Sequence, residues 1–138
     1  MINRATGEFD VKIVPQAEDK SELGTLGRMS LDKAFRGDVS GTSKGEMLTA
    51  MAPEKGSGVY VAVERVSGAL SGRKGTFMLH HTGIMVRGAP SLSIQVVPDS
   101  GTGELAGISG RLEIRIEGGK HYYDFDYSFP DAPSKGPP

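Results

Sequence analysis

The chain has 138 residues, 37% apolar and 24% charged, enough for one domain with a core of its own. Sixteen basic residues against seventeen acidic ones leave a net charge of −1, with no basic excess to neutralise nucleic-acid phosphates. Without cysteine, disulfides, thiolate nucleophiles and cysteine-ligated zinc are excluded. No stretch approaches a membrane-spanning helix, and the N-terminus lacks an apolar run of signal-peptide length, so the expected location is a bacterial-type cytoplasm.

Twenty glycines, about twice the usual share, point to many turns and tight bends. Phe9, Val11 and Ile13 alternate with Glu8, Asp10 and Lys12, the pattern of a half-buried strand ending near Pro15. The polar run from Gln16 to Gly27 reads as a loop. Met29, Leu31 and Phe35 alternate with Ser30, Asp32 and Arg36, and 37–51 reads as a strand pair or one long bent strand around Gly41 and Gly45. Further strands are predicted over 59–66, 76–82, 91–97, 111–117 and 120–129. No window of eleven or more residues carries a helical period.

About eight strands in one short chain need two packed sheets or closure, and closure removes exposed edges. The expected fold is therefore all-β, a small closed antiparallel barrel over residues 1–129, followed by a disordered proline-rich tail at 130–138.

Two turns fix registers. A two-residue turn at Gly118-Gly119 pairs Glu117 with Lys120 and puts Leu112, Ile114 and Ile116 on one face with His121, Tyr123 and Phe125. Arg111, Glu113 and Arg115 then face solvent with Asp126, Asp124 and Tyr122, so the two aspartates read as solvated charges. A turn at Ser71-Gly72 sets Val66 opposite Phe77, Glu64 opposite Leu79 and Ala62 opposite His81. Glu64 and His81 become diagonal neighbours on a face with Tyr60. The other face carries Val59, Val61, Val63 and Met78, so the sequence leaves open which one points inward.

Gly101-Thr-Gly103-Glu-Leu-Ala106 matches a dinucleotide fingerprint, but that motif works by opening a helix whose N-terminus receives a pyrophosphate. A strand with a period of two follows instead, and the run reads as a turn and bulge at a barrel rim. His80 and His81 point to opposite faces of one strand and cannot share an ion. A site of His81, His121 and Glu64 would need three orientations to agree, and no metal site or cofactor is expected. No Gly-x-Ser-x-Gly elbow joins a strand to a helix.

Gly58-Val-Tyr-Val-Ala-Val-Glu-Arg-Val-Ser-Gly68, Gly75-Thr-Phe-Met-Leu-His-His-Thr-Gly83, the run from Val96 to Gly110 and the closing His121-Tyr-Tyr-Asp-Phe-Asp-Tyr127 resemble the bacterial domain-of-unknown-function family 3224. That resemblance implies a small antiparallel barrel similar to allene oxide cyclase, without implying its activity. Glu64, His81, Gly83 and Glu104 match the family's pattern, while His80 departs from a polar amide.

Two functions stay open. In the first, the barrel holds a small, largely apolar ligand. Glu64 and His81 are then the candidate catalytic pair for isomerase- or cyclase-like acid–base chemistry, and Tyr60, Phe77, Leu79 and Tyr123 are candidate ligand contacts. In the second, the interior is filled and the chain is a non-catalytic module that forms homo-oligomers through a barrel face. Neither needs nucleic acid or a membrane.

Overall fold

In a computed structural model, eight strands pair in chain order and the last closes on the first. They are β1 (Asn3–Ser21), β2 (Gly24–Gly37), β3 (Val39–Met51), β4 (Gly58–Leu70), β5 (Arg73–Val86), β6 (Ala89–Val96), β7 (Ser109–Glu117) and β8 (Lys120–Ser128). The structure describes residues 1–130; apart from Pro130, the tail expected at 130–138 lies outside them. Every neighbouring pair is antiparallel, so short turns serve most of the meander, and the one long connection, 97–108, lies between β6 and β7.

Both registers read from the turns are observed. Glu117 faces Lys120 and Leu112 faces Phe125. Val66 faces Phe77, Glu64 faces Leu79 and Ala62 faces His81. The open question at 59–66 is also resolved: Ala62, Glu64 and Val66 are buried, whereas Val59, Val61 and Val63 are 43–59% exposed. The interior face is thus the one that carries the acid.

Two expectations need correction. Gln16–Gly27 is not a loop: β1 continues to Ser21 and pairs with β2 through Ser21↔Gly24, past an irregularity between Pro15 and Ala17. This hairpin extends beyond the packed interior with most residues of 15–23 exposed on both faces, so no apolar alternation marks it. Of the two alternatives for 37–51, the structure has the single long strand, β3.

The glycine run at Gly101 is more than a bend at the rim. It forms a 3-10 turn (Gly103–Leu105) that inserts Leu105, 1% exposed, into the core. The turn is tied to β5 by the Thr76 N–H donating to Thr102 Oγ1 (3.0 Å) and the Lys74 N–H donating to Glu104 Oε1 (3.1 Å). It plugs the barrel beside its thinnest seam, where β6 and β7 share only the Gln95↔Arg111 pair.

The interior is asymmetric. Toward the plug, Phe77 stacks on Phe125 (centroids 5.6 Å apart), with Val39, Leu70 and Ile108 packed around them. Tyr123, fully buried, accepts from the Val39 N–H (2.8 Å) and donates to the Arg36 carbonyl (2.7 Å), tying β8 to the β2–β3 turn. Toward the opposite end the side chains thin out and the interior opens.

Candidate functional site

The boundary between the packed and open halves is a buried polar layer, each member contributed by a successive strand. Lys33 comes from β2, Ser43 from β3, Glu64 from β4 and His81 from β5, and all four are buried. The register makes them neighbours: Lys33 lies opposite Ser43, Gly45 opposite Glu64, and Ala62 opposite His81. Glu64 therefore sits diagonally from both Ser43 and His81, within reach of side chains on one face.

Gly45 makes the acid's position available. A Cβ there would stand 2.7 Å from Glu64 Cβ and closer still to the Val63 carbonyl, so only glycine lets the carboxylate's strand approach at this point. Gly83 does the same for Tyr60, whose ring covers the bare backbone opposite it.

Glu64 is the hub. The Lys33 ammonium donates to Oε2 at 2.9 Å and the Ser43 hydroxyl donates to Oε1, also at 2.9 Å. His81 Nε2 stands 2.6 Å from Oε2, although the ring is turned so that it makes no aligned hydrogen bond. The Lys33 ammonium also lies 4.9 Å from the centroid of the Phe9 ring, a cation–π distance.

Burial by itself raises the Glu64 carboxyl, but His81 and then Lys33 outweigh it and hold the group at about 2, below its ordinary 4.5. The sign follows directly. A depressed folded-state value stabilises the fold above pH 4.5 and loses that contribution as pH falls toward 2. Denaturant titrations at pH 7, 4 and 2.5 are expected to show the stability gap between wild type and Glu64→Gln shrinking on the acid side. A gap independent of pH would mean that Glu64 is not held ionised.

Above this layer is a cavity of about 210 Å³ whose wall includes Phe9, Leu31, Lys33, Met47, Tyr60, Ala62, His81, Leu92, Ile114 and His121. It shares Met47, Tyr60 and Leu92 with an outer space of about 310 Å³ at the barrel mouth, lined also by Met29, Met51 and Met85. The inner cavity alone falls below the ~300 Å³ at which pockets for drug-sized ligands begin, so it suits a compact molecule extending toward the mouth. Burial, and secondarily the Glu64 charge, raises the Tyr60 hydroxyl, which stays protonated as a donor at neutral pH.

The expected site residues divide between the two halves. Glu64, His81 and Tyr60 are brought together around the polar layer. Phe77, Leu79 and Tyr123, expected as ligand contacts, lie instead in the packed core and do not line the cavity. Among the described residues no group of three or more His, Asp or Glu is placed to hold a metal ion. His121 packs on Phe9 (centroids 5.2 Å apart) and does not complete a site with His81 and Glu64.

Lys33 and Ser43 escaped the sequence reading. The signal for Lys33 was present: it shares the parity of Leu31 and Phe35, a charged residue at an inward position. Ser43 has no comparable mark.

These features define a plugged, eight-stranded antiparallel barrel with a buried Lys–Glu–His layer under an open apolar end. The chain belongs to the family described as "Protein of unknown function (DUF3224)", whose model matches residues 5–127. It is similar to a crystal structure of a protein with unknown function from that family, from Shewanella oneidensis MR-1. The two share 46% identity over 94% of this chain and 99% of that one, with a TM-score of 0.89. No curated protein matches the chain. Among the described residues no helix is long and apolar enough to cross a membrane.

Proposed function

We propose that the open half of the barrel binds a small, largely apolar molecule. The observation that carries this reading is the asymmetry of the interior. The plug end is filled by stacked aromatics, whereas the other end keeps an apolar cavity next to buried polar groups that make few contacts with one another beyond Glu64. A barrel whose interior served stability alone would gain by filling that space, since voids forfeit dispersion contacts.

Within this reading His81 and Tyr60 reach the ligand, and Glu64, which does not line the cavity, holds His81 and Lys33 in place. Acid–base assistance to an isomerisation or cyclisation would run through His81, which leaves Glu64 a positioning residue. Native mass spectrometry of protein purified from its own host tests the proposal. A retained small molecule, lost on denaturation, is the expected result; repeated recovery of bare protein would count against it.

A second reading, association of copies, is favoured by the outside of the same wall. Leu48, Val61 and Val63 are each about half exposed and, with His80, line an outer groove of about 520 Å³. Val61→Lys leaves the interior untouched, so a change in its sedimentation mass would support this reading and an unchanged monomer would reject it.

A further inference from the structure

We propose that the ligand's polar end is a single neutral oxygen acceptor of the carbonyl class, a ketone or aldehyde on an apolar body, received by Lys33 and His81. This rests on the ligand-binding reading above and adds the chemistry of the head group.

Three observations converge on it. First, the polar wall of the cavity is rich in donors. The Lys33 ammonium has no acceptor capacity, the Tyr60 hydroxyl is protonated, and no acidic residue lines the space among the described residues. Second, the compensating anion is turned away. Glu64 has a side-chain exposure of 0%, its Oε1 is taken by Ser43 and its Oε2 by Lys33, so the ion pair presents its positive end to the cavity. Third, His81 Nε2 is buried and has no aligned hydrogen-bond partner, while standing against the same Glu64 oxygen that Lys33 contacts. Both nitrogens are gathered at Glu64, and Lys33 and His81 together form the polar part of the cavity wall, so an acceptor oxygen seated there lies beside both residues.

Charge balance selects a neutral acceptor over a carboxylate. Lys33 already has its counter-charge in Glu64. A carboxylate would bring a second negative charge next to Glu64, and its desolvation against the apolar wall would go uncompensated. A cationic head group would lie against the Lys33 ammonium with no anion to meet it. A carbonyl accepts a charge-assisted hydrogen bond without burying net charge.

The test is a matched set of naphthalenes with one body and four ends, measured by equilibrium dialysis against the folded protein. They are 2-acetylnaphthalene, 2-isopropylnaphthalene, 2-naphthoate and 2-naphthylmethylamine. The ketone is expected to bind about tenfold or more tighter than the isopropyl isostere, as one hydrogen bond to a charged donor implies. The carboxylate and the ammonium are expected to bind more weakly than the ketone.

Lys33→Met/Glu64→Gln removes the charged donor and its counter-charge together, avoiding a lone buried ion. In this variant the ketone's advantage over the isopropyl compound is expected to be gone, and an advantage kept at about tenfold overturns the head-group inference. Equal binding of ketone and hydrocarbon to wild type, or tightest binding of the carboxylate, overturns the head-group inference and leaves apolar binding standing. Failure of all four compounds to bind overturns both.

Discussion

Lys33→Met is expected to lower the stability of the fold by about 3–5 kcal/mol, the range seen when one partner of a buried ion pair is removed. The methionine nearly matches the lost volume, so packing changes little. What changes is Glu64: its carboxylate, with a side-chain exposure of 0%, keeps Ser43 and the contact with His81 but loses the charge that lies 2.9 Å away. Lys33→Met/Glu64→Gln is expected to recover most of the loss, because a neutral amide still satisfies Ser43 and carries no charge needing compensation. Equilibrium denaturation of wild type, the two single variants and the double variant forms a cycle that isolates the coupling. Additive losses would show that the two side chains do not act as a pair, despite their geometry.

Phe125→Ala and Tyr60→Ala are expected to differ sharply, although each truncates an inward aromatic ring. Phe125 is fully buried, stacked on Phe77 and flanked by Tyr127, so its loss leaves an enclosed void costing about 3–5 kcal/mol. Tyr60 is half-buried at the wall of a space that is already open. Its truncation enlarges that space instead of creating a sealed one, and a cost under about 2 kcal/mol follows from the smaller area returned to water. Guanidinium unfolding with a common slope measures both. Similar losses at the two positions would contradict a barrel packed at one end and open at the other.

Much of this architecture was legible because local chemistry fixes it. Gly118-Gly119 and Ser71-Gly72 set two-residue turns, and each turn determines the register of an entire hairpin. Glu64 and His81 became neighbours from that register alone. Which face they occupied was not legible, because Val59, Val61 and Val63 make the outer face of β4 as apolar as the inner one. An alternation of apolar and polar residues cannot orient a strand whose two faces are alike.

The polar layer was only half visible for a different reason. Lys33 meets Glu64 across 31 residues and Ser43 meets it across 21, each through a strand other than the one that carries the acid. Those contacts depend on the β2–β3 and β3–β4 registers, which no short turn signature announces as clearly. Gly45 stands out in the structure because its missing side chain faces Glu64, whereas in the sequence it reads only as a bend. The plug was hidden similarly: Leu105 is one apolar residue in a glycine-rich run, and burying it needs the turn at Gly103–Leu105 to fold back onto β5.

The central claim is that the open half of the barrel is a binding cavity. Ala62 points into it, next to Tyr60 and His81, and lies in the wall without belonging to the Lys33–Glu64 pair. The most direct test is equilibrium dialysis of 2-isopropylnaphthalene against wild type and Ala62→Phe, with cooperative unfolding checked in both. Binding by wild type and a loss of at least about tenfold in the variant is the result this account predicts. Equal binding by a folded Ala62→Phe protein would place the ligand elsewhere and contradict it.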